Sequence, residues 1–206
     1  MESRLGQQSY WDEVFSQEAA SLQDTEDYDS SCEDWFGPAA QRKVSRMVST
    51  HVPSTAMFVD LGCGNGCSLE KYREMGFERL YGVDFSLPAV ELARERVPTA
   101  VVEQGDLVSW RFGMDCDQVL IHDKGTLDAF LLNKAHTADQ YRAAIESVVA
   151  HSTETWLVVT CCNYTYPELC TILPYPEIDH VRDFPTFSFG GSSGSTLASV
   201  LFHITS

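Results

Sequence analysis

The stretch Val59-Asp60-Leu61-Gly62-Cys63-Gly64-Asn65-Gly66 runs from apolar residues through one acid into a glycine-rich turn. Glycines at such a turn let backbone N–H groups come close to a ligand, because no Cβ stands between them. A second apolar run, Leu80-Tyr81-Gly82-Val83, ends in Asp84, 18 residues after Gly66. A carboxylate at the tip of a second strand accepts the two ribose hydroxyls of an adenosine-containing cofactor. Phe85 and Ser86 follow directly. Phe85 is a candidate to lie against an adenine face, with plain core packing as the alternative. Ser86 is expected to cap the next helix. Asp60, Gly62, Cys63, Gly64, Asn65, Asp84, Phe85 and Ser86 are therefore the first cofactor-binding candidates.

The turn reads Gly-x-Gly-x-Gly, and Cys67 stands where the dinucleotide fingerprint needs its last glycine. Asp60, just ahead of the turn, would repel a pyrophosphate but suits the sulfonium and ammonium of S-adenosylmethionine. This arrangement of strand, acid, turn, strand and acid is similar to that of class I methyltransferases. The resemblance implies S-adenosylmethionine as cofactor and S-adenosylhomocysteine as product. It also puts Asp106 and Leu107, in Gly105-Asp106-Leu107, beside the adenine amino group; a turn aspartate is the alternative reading.

Alternating strands and helices must hold these residues. The pattern predicts a helix over 38–51 that begins at Pro38 and stops before Pro53, then strands at 56–61, 79–84, 99–104, 117–122 and 156–160. Helices are expected over 66–75, after Ser86, and over about 137–150. Prolines cluster from residue 174, and the closing segment, Gly190-Gly191 followed by Thr196 to Ile204, predicts a terminal antiparallel hairpin. The fold class is thus α/β, a doubly wound, mostly parallel seven-stranded Rossmann-like sheet with its ligand at the carboxyl ends of the strands.

The 206 residues suit one domain, 38–206, behind an acidic segment, 1–37. The net charge is −16, and residues 1–37 carry ten acidic residues against Arg4 alone. That segment is expected to be partly disordered, with a short helix at Tyr10–Phe15 and loop from Ser16 to Ser31. Nucleic acid is excluded as a partner by the missing positive charge. A basic protein suits the acidic surface, although solubility alone also accounts for it. Met1 to Gln8 has no apolar core, and no run approaches the ~20 apolar residues of a membrane span, so the expectation is a cytoplasmic chain, with the nucleus also open, and no membrane partner. Cys63 and Cys67 are four apart, but no His/Cys pair at ligand spacing completes a set, and no metal is expected.

Longer motifs narrow the resemblance. Tyr10-Trp11-Asp12, Trp35-Phe36-Gly37, the glycine turn and Asp123-Lys124-Gly125-Thr126-Leu127-Asp128-Ala129 occur in this order, followed by Cys162-Asn163-Tyr164-Thr165 and Phe187-Ser188-Phe189-Gly190-Gly191-Ser192-Ser193-Gly194. They resemble the lysine methyltransferases that act on translation elongation factor 1-alpha, over most of residues 10–203. Cys63 replaces a threonine of that family, Tyr164 a tryptophan, and the Pro167–Asp183 stretch is shorter. The resemblance implies a protein-lysine N-methyltransferase with Trp35 and Phe36 closing as an aromatic lid over the methionine end of the cofactor, stapling of the N-terminal helix being the alternative, and with Gly37 at the cofactor; a monomer is expected. Asp123, after the fourth strand, is expected to orient the cofactor's ammonium with its carbonyl and to receive the incoming lysine with its carboxylate; a capping role is the alternative. Asn163 and Tyr164 are expected to line the lysine channel. Competing readings are a small-molecule methyltransferase and a cofactor-binding module without turnover.

Overall fold

The computed structural model describes residues 3–23, 36–181, 184, 187–189, 192–194 and 197–205. A 3-10 turn, Arg4–Gly6, leads into α1 (Gln8–Gln23), and α2 (Pro38–His51) precedes β1 (Met57–Leu61). Then come α3 (Cys67–Glu74), β2 (Leu80–Asp84), α4 (Leu87–Arg96), β3 (Val101–Gln104), β4 (Cys116–Lys124), α5 (Thr126–Leu132), α6 (Ala138–Val149) and β5 (Ser152–Cys161). The chain closes with α7 (Tyr166–Ile172), β6 (Glu177–Val181), β7 (Phe187–Phe189), β8 (Ser192–Gly194) and β9 (Ala198–Thr205).

Seven strands form one sheet in the order β3-β2-β1-β4-β5-β9-β6. β1 to β5 are mutually parallel, and β9 runs antiparallel between β5 and β6. The chain moves outward from β1 to β3 and then restarts on the other side of β1 at β4. That reversal opens a crevice at the carboxyl ends of β1 and β4, the place where open α/β sheets take ligands.

Side chains alternate across each strand, so the two faces of the sheet build separate cores. Met57, Val59 and Leu61 of β1 and Val119 and Ile121 of β4 face α5, α6 and α7. Phe58 and Leu120 face α2, α3 and α4. Asp60 and His122 continue the second series; they are register neighbours on adjacent parallel strands. Asp123 continues the first.

Several expectations need correction. α1 is a helix of 16 residues, so the predicted loop from Ser16 is helical as far as Gln23, and residues 4–6 are ordered as a helical turn. Phe15 packs on Ala89 and Leu92 of α4, and this apolar seam draws the helix onto the domain. The stretch after Pro174 yields β6, an edge strand that pairs with β9 as the closing antiparallel pair. β7 and β8 form their own two-stranded hairpin instead of extending the sheet. α7 begins at Thr165-Tyr166-Pro167-Glu168, whose Glu168 carboxylate accepts the Thr165 N–H at 2.8 Å, an acid-at-N3 signature visible in the sequence.

Gly66 closes the turn at φ +84, and a Cβ there would lie 2.9 Å from Cα of Ala93 in α4. Gly66→Ala therefore meets both left-handed strain and backbone, and a loss of at least ~2 kcal/mol is expected. Urea unfolding would measure it; a loss under half of that would show that α4 yields at no cost.

Candidate functional site

The glycine turn is built from three left-handed residues, Gly62, Gly64 and Gly66. A Cβ on Gly62 would fall 2.2 Å from Oγ1 of Thr126, whose hydroxyl donates to the Leu61 carbonyl at 2.7 Å. α5 thus presses against the turn and leaves no room for a side chain. Asn65 braces the other end: its Oδ1 accepts the Cys67 N–H at 3.3 Å, and its carbonyl accepts from Nε of Arg96 at 3.0 Å.

Asp84 holds this turn. Its Oδ2 accepts the Gly64 N–H and its Oδ1 the Ser86 N–H, each at 2.9 Å. One carboxylate therefore ties the tip of β2 to the turn after β1 and to the start of α4. Burial pushes the Asp84 pKa up to about 6; the two N–H donors oppose that rise, and the carboxylates of Asp60 and Asp12 add to it. Cys63, beside them, is a buried thiol whose pKa is raised first by burial and then by Asp84 and Asp60. Acids thus gather at the strand tips, where their charge favours a cation.

Asp60 does not stand free. Its Oδ1 lies 2.7 Å from Nδ1 of His122, and both side chains are buried. The ring of His122 packs between those of Phe58 and Tyr72, at centroid distances of 5.4 and 5.2 Å. His122 thus takes up one Asp60 oxygen, a partnership that the alternation of β1 and β4 encodes but that was not anticipated. Beside this pair a narrow cleft is lined by Phe36, Ser68, Tyr72, His122, Lys124 and Thr160. Phe36 is buried, and a Cβ on Gly125 would come 3.3 Å from its ring. Phe36, the second aromatic of the expected lid, therefore sits at the end of β4; Trp35 lies outside the described residues. Gly37, at φ +78, occupies the N-cap position of α2, where its carbonyl accepts the Ala40 N–H at 3.1 Å.

Asp123 is the principal correction. Strand alternation turns its side chain toward α5 and α6, away from Asp60 and His122, and the residue is 0 % exposed. Its carboxylate accepts the N–H groups of Thr126 at 3.0 Å and Leu127 at 2.9 Å and the hydroxyl of Tyr141. Burial raises its pKa to about 8, against the pull of the Tyr141 hydrogen bond. It is a cap and an anchor, and its carboxylate meets no incoming lysine in this arrangement. Leu107, expected beside the adenine, sends its side chain into the same core. Asp106 is exposed, and its Oδ1 accepts the Val108 N–H at 2.9 Å, as a turn aspartate does.

Ser86 stands at the N-cap position of α4, yet its hydroxyl makes no capping bond. Phe85 is half-buried, and its carbonyl accepts from Gln8 of α1 at 2.8 Å. Asn163 and Tyr164 follow β5. The N–H groups of Cys162 and Asn163 donate to the Asp128 carboxylate at 2.9 and 2.8 Å, so α5 pins this loop. Asn163 is exposed at the carboxyl rim, whereas Tyr164 leans on the α5–α7 core.

The arrangement fits an adenosyl group carrying positive charge. The glycine cradle has no space for side chains, the carboxylates of Asp60 and Asp12 raise the pKa of Asp84, and the buried Ser86 hydroxyl has no partner among the described residues. Residues 58–152 match a family described as a methyltransferase domain. EEF1A lysine methyltransferase 2 of Danio rerio is 30% identical over 98% of this chain and 89% of its own length. Protein-lysine N-methyltransferase EFM4 of Saccharomyces cerevisiae is 31% identical over 97% of this chain and 94% of its own. The chain belongs to this protein-lysine methyltransferase family.

Among solved structures, the N-methyltransferase NodS of Bradyrhizobium japonicum, bound to S-adenosyl-L-homocysteine, shares the fold. It has a TM-score of 0.64 and 16% identity, with 92% of this chain and 97% of that one covered. The cofactor of this methyltransferase is S-adenosylmethionine.

Two outcomes follow from the geometry of the methyltransferase. Asp123→Ala leaves two N–H groups and the Tyr141 hydroxyl without an acceptor, so a stability loss of about 2–3 kcal/mol is expected by urea unfolding, and a loss below ~1 kcal/mol would contradict the anchoring role. Affinity for the cofactor is expected to fall as pH drops through about 6, because the ionised Asp84 is the acceptor and protonation removes it. Calorimetry from pH 5 to 8 reads this directly; a flat profile would detach Asp84 from cofactor binding.

Proposed function

We propose that this chain transfers the methyl group of S-adenosylmethionine to a lysine side chain of translation elongation factor 1-alpha. The carrying observation is the near end-to-end likeness to enzymes named for that modification, set on strand tips built to receive a cationic cofactor. When bound, the cofactor supplies a methyl group on a sulfonium, which an amine displaces in line.

In this reading Asp84 and the Gly62–Asn65 turn take the ribose and the methionine end, Ser86 adds its hydroxyl, and Asp60, held by His122, sets the field around the positive charge. Phe85 and Asp106 flank the adenine. The lysine must arrive neutral, and at its ordinary pKa of ~10.4 loss of the proton near pH 7.4 costs roughly 4 kcal/mol. An apolar approach lowers that cost, and the cleft offers the rings of Phe36 and Tyr72 on one side of β4. Orientation then carries most of the rate. Asn163, on the exposed rim after β5, is placed to meet the substrate backbone. The acidic surface attracts a basic protein, and a substrate from the translation machinery puts the reaction in the cytoplasm. We further propose that the enzyme acts as a monomer.

Purified enzyme, elongation factor 1-alpha and radiolabelled cofactor test the reading. Label is expected in the protein band and is expected to disappear with Asp84→Ala, which removes the shared acceptor of the site. Label confined to the small-molecule fraction would defeat the substrate assignment.

A further inference from the structure

α1 lies across the strand tips. Gln8 donates to the Phe85 carbonyl at 2.8 Å, the Phe15 ring covers Gly64, where a Cβ would come within 3.2 Å of Cζ, and Asn65 donates to Glu18 at 2.6 Å. These three contacts mark the helix stripe that faces the tips of β1 and β2. Asp12 is four residues after Gln8 and three before Phe15, so helical periodicity places it on this stripe, between the end of β2 and the glycine turn. Its Oδ1 is buried and has no hydrogen-bond partner among the described residues, and the Asp12 charge is felt at Asp84.

A buried carboxylate oxygen without a donor, set beside a second buried acid, is an unfavourable arrangement in the free protein. Nothing in α1 requires it. The helix is fixed by Trp11 and Phe15, whose rings stack at 6.0 Å, by the Trp11 indole donating to the Leu5 carbonyl at 2.8 Å, and by the seam with Ala89 and Leu92. The unpaired acceptor is near enough to Asp84 for its charge to act there, and an acid at the end of β2 is where such a fold meets a ribose.

We propose that Asp12 is a cofactor-binding residue whose Oδ1 accepts a hydrogen bond from a ribose hydroxyl, opposite the Asp84 carboxylate. The two acids thereby grip the diol from both sides, one from the sheet and one from the overlying helix. The inference rests on the reading of the strand tips as an S-adenosyl site. It gives α1 a direct part in cofactor recognition, beyond covering the site.

Asp12→Ala tests it, because alanine favours the helix and removes only the acceptor. Calorimetry with S-adenosylhomocysteine and with 5′-methylthioadenosine, which has the ribose but no amino-acid end, is expected to show at least fivefold weaker binding of both. The melting temperature of the ligand-free variant should equal or exceed that of the parent, since an unpaired acid is removed. A smaller change with either ligand, or a lowered melting temperature of the free variant, would overturn the assignment. Failure of the parent protein to bind S-adenosylhomocysteine would instead remove the S-adenosyl reading itself.

Discussion

Two backbone N–H groups, from Gly64 and Ser86, converge on one buried carboxylate, Asp84. That convergence ties together the first two strands, the turn after one and the helix after the other. It works only because glycine stands at the three left-handed positions of the turn, 62, 64 and 66: at positive φ the Gly64 N–H reaches Asp84 of β2. The cost of burying the acid is offset by hydrogen bonds to its charged form and is met more fully when a positively charged ligand is present.

The same sheet uses a second buried acid for another purpose. Asp123 and Asp60 sit at equivalent heights on adjacent strands but on opposite faces, because their positions in the register differ by one residue. Asp60 meets His122 on the face of α2, α3 and α4. Asp123 meets Tyr141 and the start of α5 on the other. α5 in turn supports the site from beneath: Thr126 fills the space under Gly62, and Asp128 holds the loop that carries Asn163. In the motif Asp123-Lys124-Gly125-Thr126-Leu127-Asp128, Asp123 thus anchors Tyr141, Thr126 braces the glycine turn and Asp128 holds the loop after β5.

The amino-terminal helix completes the enclosure. It is drawn onto α4 by apolar packing, and its polar stripe reaches Phe85, the glycine turn and the neighbourhood of Asp84. The acid-rich start of the chain accordingly contains two kinds of acid. Asp12 and Glu18 are turned inward, toward the site. Glu13 is exposed, and its ion pair with Arg4 at 3.3 Å is of the exposed kind that adds little stability.

Apart from α5, the succession of elements from residue 38 to 161, the glycine turn, and the place of Asp84 at the end of β2 were readable in the sequence. They depend on local rules: apolar periodicity, proline and glycine punctuation, and an acid at a strand end. α5 and β6 are too short, and too mixed in composition, for periodicity to reveal them. α1 was visible only over its aromatic start, because the polar remainder is stabilised by packing on α4 and not by its own pattern. The roles of individual acids needed the tertiary structure. Which face a strand-tip side chain takes depends on register, and a one-residue difference separates Asp60, paired with His122 on one face, from Asp123, anchored to Tyr141 and α5 on the other. Sequence alone therefore determined the fold, the cofactor class and the family resemblance, whereas the pairing of Asp60 with His122, the inward turn of Asp123 and the approach of Asp12 to Asp84 were decided by how separate elements pack in space.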